Sequence, residues 1–357
     1  MCCVDCGGGL VADAPVRLVC EACGRSFPVV LGIPDLRADP AWFDVEADRR
    51  LAVELVEAAE HEDLHGLLRR LWAAHPEVSA RAAERFVYGD LSAAERAEQV
   101  ADQIYESAGH LAEGARVLEV GCGTAALSVA LAPMAGEVVA TDVSLAWLVL
   151  ARHRALRAGA ANVTFAACSA DRLPLAPGTI DLVVAADVIE HVPDPAAFAA
   201  SCHRVLRPGG ALWLSTPNRF SLTPEPHVQL WAVGYLPRSV GVWYVRRVRG
   251  VAYQEIRPLS RRALAGVLES TGGEDVTVVA PPIVGPPRSR RGRPGRALIQ
   301  VYNTVSSTPL LRRVVRPIAP LFHATVRKGV QETSPGGGDA QAVARAQPLA
   351  GDARHTP

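Results

Sequence analysis

The stretch from Arg116 to Ala126, which reads R-V-L-E-V-G-C-G-T-A-A, constrains the fold of this chain more than any other. Its first half is apolar except for the acid Glu119, a composition typical of a buried β-strand. Gly121 and Gly123 follow, and a backbone needs glycine where φ is positive or where it contacts a ligand closely. The stretch predicts a buried strand that turns sharply into a helix, with the chemistry of the protein at the turn.

The turn by itself is compatible with more than one cofactor. Gly121-x-Gly123-x-x-Ala126 satisfies the G-x-G-x-x-G/A fingerprint of dinucleotide-binding proteins. Asp142, at the end of the next apolar run, lies near the distance at which a ribose-binding acid is expected. A nicotinamide or flavin cofactor and S-adenosylmethionine both fit these residues, so the choice depends on the rest of the chain.

Composition limits the class of protein. The 357 residues, 49% of them apolar, are enough for one large domain or two modest ones. The 37 basic and 37 acidic residues give no net attraction to nucleic acid. No apolar run is long enough to span a bilayer, and the N-terminus lacks the pattern of a signal peptide. We therefore expect a cytoplasmic protein, in which clustered cysteines indicate metal rather than disulfides.

The first residues have the spacing of a metal site. Cys3-x-x-Cys6 and Cys20-x-x-Cys23 form the paired knuckles of a four-thiolate zinc site, with Cys2 as an alternative to Cys3. So small a module has too little core to fold alone, and zinc would hold it together. We predict a structural zinc ribbon over residues 1–40.

A helical pattern follows over residues 41–111. We expect a helical cap that either covers the cofactor cleft or packs without contacting a ligand. Ser92 and Glu95 have the spacing of a capping box, which predicts that a helix begins there, after a break near Gly89.

Beyond Arg116, strand and helix patterns alternate as in a parallel α/β sheet. We predict a doubly wound, seven-stranded, mostly parallel sheet over residues 112–330 and a disordered tail over residues 331–357. The predicted strands after the first are Val138–Thr141, Asn162–Ala167, Ile180–Ala185, Ala211–Ser215, Val276–Ala280 and Phe322–Arg327.

Five motifs together resemble those of the class I S-adenosylmethionine-dependent methyltransferases. They are V-L-E-V-G-C-G-T-A, A-T-Asp142, S-A-Asp171-R-L-P, D-L-V-V-A-A-Asp187-V-I-E-His191 and V-L-R-P-G-G-A-L-W-L-S-T-P-Asn218. The resemblance implies the Rossmann-like methyltransferase fold, and zinc ribbons precede this domain in many bacterial methyltransferases. It also decides the cofactor, because a dehydrogenase has no need of Asp171 or of the Arg-Pro-Gly-Gly turn. Family members often have glycine where this chain has Ala125.

The resemblance assigns roles in binding S-adenosylmethionine. Glu119 would face the ammonium of the methionine moiety, and Asp142 would accept hydrogen bonds from both ribose hydroxyls. Asp171 would accept from the adenine amino group, with Arg172 beside the ring. The other residues that it places at the cofactor are Gly121, Cys122, Gly123, Thr124, Val143, Ala170 and Asp187.

Transfer to an oxygen requires a general base, or a cation that lowers the pKa of the acceptor hydroxyl. His191 is the predicted base. Asp187, Glu190 and His191 are spaced i, i+3 and i+4, so a helical turn would bring them together, and His227 would complete a set of four. The set resembles the metal clusters of the small-RNA 2′-O-methyltransferases and of the ubiquinone-pathway O-methyltransferases, and this implies Mg²⁺ or Mn²⁺. The alternative is that His191 lines the cleft without metal.

Two segments bear on the acceptor. Residues 216–258 are rich in aromatic residues and are expected to form the acceptor lid. Residues 285–320 mix arginines with apolar residues, which indicates either a solvated insert or contact with a membrane surface or lipid-linked substrate. We expect O-methylation of a small molecule, quinol, polyketide or glycan. The alternatives are an RNA methyltransferase, against which the neutral charge argues, and a non-catalytic adaptor; the oligomeric state stays open.

Overall fold

The computed structural model describes residues 1–37, 42–75, 78–109, 111–283, 293–308, 313 and 315–330. The predicted tail and residues 285–292, 309–312 and 314 of the predicted insert at 285–320 lie outside these residues. At the N-terminus, four short antiparallel strands pair in chain order within this part of the chain. They are β1 (Leu10–Ala14), β2 (Arg17–Cys20), β3 (Ser26–Val30) and β4 (Ile33–Pro34).

The main sheet has the predicted architecture. In the described part of the chain its seven strands are ordered β7-β6-β5-β8-β9-β11-β10, and pairing is parallel from β7 to β9 and antiparallel at β11 and β10. The chain order reverses between β5 and β8, which places a ligand cleft at their carboxyl ends. The strands are β5 (Arg116–Val120), β6 (Glu137–Asp142), β7 (Val163–Ala167), β8 (Ile180–Ala186), β9 (Leu206–Pro217), β10 (Glu274–Val279) and β11 (Leu321–Arg327).

Helices cover both faces of this sheet, because its buried strands are apolar on both sides. Along β5, Val117 joins the core beneath α1 to α5, whereas Leu118 joins the core beneath α6 and α8. No helix in the described ranges is long and apolar enough to cross a membrane. The helices are α1 (Val45–Ala58), α2 (Leu64–Ala73), α3 (Ala80–Ala108), α4 (Ala126–Leu131), α5 (Leu145–Ala158), α6 (Pro195–Val205), α7 (Arg238–Arg249), α8 (Arg261–Glu269) and α9 (Arg293–Ser307), with 3₁₀ turns at Ala132–Met134, Val233–Tyr235 and Arg316–Ile318.

The predicted helix start at Ser92 is wrong. α3 runs unbroken for 29 residues from its N-cap Ser79, and Ser92 lies inside it, where its Oγ donates to the Gly89 carbonyl at 3.0 Å. A glycine within a helix costs about 1 kcal/mol relative to alanine. Here α3 buries a stripe that includes Val87 and Ile104 against the core, and this packing outweighs the local preference for a break.

The Arg-Pro-Gly-Gly turn was expected to precede the fifth strand of the domain, but it lies within β9. Ile180 pairs with Leu206 and Leu182 with Ala211, so four residues of β9 bulge out opposite one residue of β8. Gly209 has φ of 78° in this bulge, a backbone conformation that favours glycine.

The N-terminal sheet packs directly on the main domain. Asp35, just after β4, forms a parallel bridge with Ala167 at the end of β7, and the Leu36 amide donates to the Ala167 carbonyl at 2.8 Å. Cys3 and Phe27 belong to the same apolar core as Leu118 of β5. The small sheet therefore continues the edge of the large one.

Candidate functional site

The glycine turn has the positive φ angles that its sequence predicts. Gly121 and Gly123 have φ of 69° and 50°. A methyl group added at Gly121 would lie 2.5 Å from Cγ2 of Val188, so the turn is shaped by the residues after β8. Ala125 also has a left-handed φ, 53°, at the position where family members often have glycine, and this conformation costs about 1 kcal/mol for a residue with a Cβ.

Asp142 is fixed against this turn by backbone donors. Its Oδ2 accepts from the Gly123 amide at 3.0 Å, and its Oδ1 accepts from the Ser144 amide at 2.9 Å. Burial raises the pKa of the Asp142 carboxyl to about 6, although these amides oppose the shift; the charge of Asp48 adds to it. The carboxylate is thus oriented and is ionised at neutral pH.

A cavity of about 390 Å³ opens at the carboxyl ends of β5 to β8. Trp42, Phe43 and Trp147 also line it, although the sequence analysis did not assign them to the cofactor. Trp42 and Phe43 come from the segment between the ribbon and α1, which contains none of the cofactor motifs. Their aromatic character was therefore the only feature of the sequence that could have indicated a role in the site. The predicted cofactor residues that line this cavity are Gly121, Asp142, Val143, Ala170, Asp171 and Asp187.

Other predicted cofactor residues lie outside the lining of that cavity. Cys122 and Thr124 are buried within the turn, at 6% exposure each. Gly123 is connected to the cavity by the hydrogen bond that its amide donates to Asp142. Arg172 lines a neighbouring cavity against Cys2 and Cys3 of the ribbon.

Glu119 lies beneath the turn rather than in the cavity. It is 3% exposed, and its Oε2 accepts a hydrogen bond from the Ser128 hydroxyl in α4. Burial raises the pKa of Glu119 to about 8, the hydrogen bond from Ser128 opposes the shift, and the charge of Asp142 adds to it. Its contact with the cofactor ammonium stays a prediction.

Three of the four predicted metal ligands come together, and one of them, His191, lines the cavity. The ligand atoms of Glu190, His191 and His227 lie within 4.8 Å of one another. Nε2 of His191 is 3.1 Å from Nε2 of His227, and Nδ1 of His227 is 2.6 Å from Oε1 of Glu225. Burial and the neighbouring His227 lower the pKa of His191 to about 4, so its imidazole is neutral at pH 7.

Glu190 has a free oxygen in this cluster. Its side chain is buried, with Oε2 accepting from the Thr216 hydroxyl at 2.9 Å, while Oε1 has no hydrogen-bond partner among the described residues. Burial raises its pKa well above the ordinary value, and Asp187 adds to the shift. A buried carboxylate oxygen without a partner is costly, and a cation would satisfy it.

Asp187 is the predicted ligand that stays apart. The helical turn expected over 187–191 does not form, because Asp187 has a left-handed φ of 56°. Its Oδ1 instead accepts from the Ser215 hydroxyl of β9 at 3.0 Å. Asp187 lines both the cofactor cavity and an adjoining cavity of about 300 Å³ beneath α3. Glu225, which orients His227 from two residues away, is a site residue that no motif of the sequence predicts.

The four predicted zinc ligands form a second cluster. The sulfur atoms of Cys3, Cys6, Cys20 and Cys23 lie within 4.8 Å of one another, and Cys2 is not among them. Their paired knuckles give the four-thiolate set of structural zinc sites. A methyl group at Gly8 would lie 2.9 Å from the Cys20 sulfur, so the knuckle requires glycine there.

Comparison with known proteins identifies the central part of the chain. Residues 118–214 match the family model described as a methyltransferase domain. The chain contains a methyltransferase domain. The resemblance to class I methyltransferases and the predicted Rossmann-like sheet are confirmed for this domain, which contains the glycine turn, Asp142, Asp171 and His191.

Relatives of the methyltransferase domain include ubiquinone biosynthesis O-methyltransferases. The protein of that name from Pseudomonas aeruginosa PAO1 is 33% identical over 164 residues, which are 46% of this chain and 66% of the relative. The one from Xanthomonas campestris strain 8004 is 41% identical over 107 residues, 30% of this chain and 44% of the relative. A solved structure, Haemonchus contortus phosphoethanolamine N-methyltransferase 2 with S-adenosyl-L-methionine, is 18% identical with a TM-score of 0.45, covering 65% of this chain and 52% of its own.

Proposed function

We propose that the protein transfers the methyl group of S-adenosylmethionine to a hydroxyl oxygen of a small molecule. One observation carries the proposal: a single cavity is lined both by the oriented carboxylate of Asp142 and by His191, whose imidazole is neutral at pH 7. A candidate cofactor-binding acid and a candidate acceptor-activating group therefore line one cavity. The names of the relatives, ubiquinone biosynthesis O-methyltransferases, support a quinol or phenol as the acceptor.

The cofactor would lie along the carboxyl edge of the sheet. Asp142 would accept from the two ribose hydroxyls, and Asp171, which lines the same cavity, would accept from the adenine amino group. Trp147 and Phe43 supply apolar walls for the rings. The sulfonium is an activated donor, so the protein mainly has to align the acceptor oxygen with the methyl group and exclude water.

The acceptor hydroxyl must lose a proton beside His191, which lines the same cavity. The neutral His191 can accept it, and Glu225 orients the adjacent His227 through Nδ1. The donor set of Glu190, His191 and His227 also fits a divalent cation, with Glu190 supplying its unpartnered Oε1. We propose Mg²⁺ or Mn²⁺ there; when bound, it would lower the pKa of the acceptor hydroxyl. Glu225 would then orient a metal ligand from behind.

The first experiment measures methyl transfer from tritiated S-adenosylmethionine to a catechol, with and without EDTA. A requirement for added Mg²⁺ or Mn²⁺ supports the cation, whereas full activity in chelator leaves His191 as the base. In the metal-free case, His191→Asn should lower kcat by about 10²-fold or more. Absence of transfer to any phenol or quinol would contradict O-methylation of this acceptor class.

The segment 216–258 is our proposed acceptor lid. It supplies Glu225 and His227 to the cluster and has a small core of its own around Val233, Val245 and Tyr253. Polyketides and glycans are further acceptors that such a lid could cover. The remaining alternatives are an RNA methyltransferase and a protein that only binds the cofactor. Tritium incorporation into RNA would favour the first, and cofactor binding with no transfer to any acceptor would favour the second.

We propose that Cys3, Cys6, Cys20 and Cys23 hold structural zinc. The geometry of the four sulfurs supports this, and the ribbon has few buried residues apart from those packed on the main domain. Metal analysis of the purified chain should give one zinc per molecule, and replacing Cys20 and Cys23 with serine should abolish it. Retention of zinc in that double variant would contradict the site.

We also propose peripheral contact with a membrane that carries a lipid-linked acceptor. Of the segment first predicted for this, 285–320, residues 285–292, 309–312 and 314 lie outside the described residues. α7, which is part of the proposed lid, supplies a described surface on which Trp243 and Val240 are 64% and 43% exposed and Arg246 and Arg247 are also exposed. Co-sedimentation with anionic vesicles should fall in Trp243→Ala and vanish with uncharged vesicles; equal binding of both proteins would contradict it.

A further inference from the structure

The N-terminal ribbon contacts two of the loops that line the cofactor cavity. At one end, the Cys2 amide donates to the Pro174 carbonyl at 2.8 Å, three residues beyond Asp171. At the other end, residues 35–37 run beside β7 and approach the loop after β6. The sequence assigned this module no part in binding the cofactor, yet it lies against both the predicted adenine loop and the predicted ribose loop.

Arg37 makes the second of these contacts from a fully buried position. Its side chain has 0% exposure, and it binds Asp35 with two hydrogen bonds, Nε to Oδ1 at 2.7 Å and Nη2 to Oδ2 at 2.6 Å. Nη1 donates to Oδ2 of Asp48 at 2.6 Å and to the Val143 carbonyl at 3.1 Å. Arg37 thus joins the end of the ribbon, α1 and the loop that follows Asp142.

Asp48 continues the connection to the cofactor carboxylate. Its Oδ1 accepts from the Ser144 hydroxyl at 2.5 Å, and its Oδ2 accepts from the Leu145 amide at 2.8 Å. The Ser144 amide in turn donates to Oδ1 of Asp142 at 2.9 Å. The connected series Arg37, Asp48, Ser144 and Asp142 therefore leads from the end of the ribbon to the cavity, which Ser144 and Asp142 line.

The chemistry of this series favours a positioning role over a contribution to stability. Buried charges are expensive to desolvate, and a buried pair often adds little net stability even when all its hydrogen bonds are made. Here Asp35 and Arg37 have 0% side-chain exposure and Asp48 has 7%. What the network does provide is a fixed loop, and bidentate recognition of two ribose hydroxyls requires a carboxylate held within a fraction of an ångström.

We propose that Arg37 and Asp48 are positioning residues of the cofactor site, which hold the 143–145 loop so that the Asp142 carboxylate faces the ribose. The proposal rests on the function proposed above, which assigns the ribose to Asp142. It makes the end of the ribbon a structural part of the cofactor site.

The test is calorimetric titration of the full-length protein with S-adenosylhomocysteine. Arg37→Lys keeps the charge but loses the planar fork, and Asp48→Asn keeps the shape but loses the charge. Each should weaken binding about tenfold or more, the effect of losing one hydrogen bond to a charged group. The matched control is Arg49→Lys: Arg49 also binds Asp35, at 2.8 Å, and it is partly exposed. The control should bind within about twofold of wild type.

Two further measurements distinguish a role in positioning Asp142 from a general effect on the structure. The 2′-deoxy analogue of S-adenosylhomocysteine lacks one ribose hydroxyl, so the loss caused by Asp48→Asn should be smaller for it than for the parent ligand. In the wild type the charge of Asp48 raises the pKa of Asp142. In Asp48→Asn, the pH below which S-adenosylhomocysteine binding weakens should therefore be lower. The other titratable groups facing Asp142 are Glu119, Cys122 and Cys168, and they are unchanged in this variant.

The outcomes distinguish this proposal from the function on which it rests. If the wild type does not bind S-adenosylhomocysteine, the proposed function fails. If the wild type binds, and folded Arg37→Lys and Asp48→Asn bind equally well, the positioning role alone is overturned. Equal losses for the parent ligand and its 2′-deoxy analogue, with no shift of the acid limb, would also overturn it. If Arg37→Lys does not fold, Asp48→Asn decides the question.

Discussion

At the scale of single residues, the site depends on carboxyl groups whose ionisation is set by burial. Asp142 and Glu119 lie on the adjacent strands β6 and β5 and have different surroundings: backbone amides hold Asp142 at the cavity, whereas Glu119 is enclosed beneath the turn with one hydroxyl donor. Because only an ionised carboxylate accepts from both ribose hydroxyls, the charge of Asp142 should control the affinity for the cofactor.

The affinity for S-adenosylhomocysteine should depend on the pKa of Asp142, which is about 6. Above pH 7 the carboxylate is already ionised and affinity should be constant. Below pH 6 binding must displace a proton, so the dissociation constant should rise about tenfold per pH unit. Calorimetry between pH 5 and pH 8 checks this, and a flat profile would show that Asp142 does not bind the ligand as an anion.

Glu119 should make the free protein less stable as pH rises. Its folded pKa, about 8, lies above its ordinary value of 4.5, so the folded state holds a proton that the unfolded state has lost. This contribution is complete below about pH 4.5 and is lost as pH rises through 8. Glu119→Gln should therefore gain Tm relative to wild type between pH 5 and pH 8 in thermal melts. If the Tm of the variant and the Tm of the wild type change in parallel with pH, Glu119 is not buried in its protonated form.

The cofactor role of Glu119 has its own test. Glu119→Ala should weaken S-adenosylhomocysteine binding while the circular dichroism spectrum stays that of a folded protein. Glu119 lies outside the cavity lining in the free protein, so the ligand ammonium would have to approach it through the glycine turn. Unchanged affinity in this variant would restrict Glu119 to a structural role.

At the scale of elements, the parallel strands followed from the sequence and the long helix did not. β5, β6 and β8 are apolar runs bounded by glycine, aspartate or proline, and these local signals agree with their burial on both faces. α3 contains Gly89 and a false capping box, and only its packing against α2 and α4 makes it continuous. Tertiary contacts of this kind leave no local pattern in the sequence.

A matched pair of serines tests the observed bounds of α3. Ser79→Ala removes the N-cap acceptor for the Ala82 amide and should cost about 1 kcal/mol of unfolding free energy. Ser92→Ala, inside the helix, should cost less than about 0.5 kcal/mol, because alanine is the best helix former. Urea denaturation measures both, and a larger loss for Ser92→Ala would favour a helix that begins there.

The site shows the same division between local and tertiary signals. Glu190 and His191 follow β8 directly, and the sequence placed them at the carboxyl edge of the sheet. The left-handed backbone at Asp187 and the pairing of Glu225 with His227 depend on how β9 and the lid fold back, which no spacing rule contains. The network through Arg37 was missed for the same reason, since Val143 lies 106 positions beyond it.

At the scale of the whole molecule, the ribbon and the methyltransferase domain form one continuous structure. The bridge from Asp35 to Ala167 and the shared apolar core join them. If zinc holds the ribbon together, stripping it should lower the Tm by at least about 5 °C and weaken S-adenosylhomocysteine binding. His227→Ala, in which the cluster of Glu190, His191 and His227 is incomplete, is the control and should respond to chelation in the same way. A ribbon that melts separately, with no change in affinity, would contradict this coupling.

The central claim is that the cavity beside Asp142 binds the adenosyl cofactor. Calorimetric titration of the full-length chain with S-adenosylhomocysteine at pH 7.5 tests it most directly, with Asp142→Asn as the variant. The structure predicts one binding site per chain in the wild type and an affinity at least about tenfold weaker in the variant, because the amide removes the charge and replaces one of the two acceptor oxygens with an NH2 donor. No heat of binding in the wild type, or equal affinity in the two proteins, would contradict the claim.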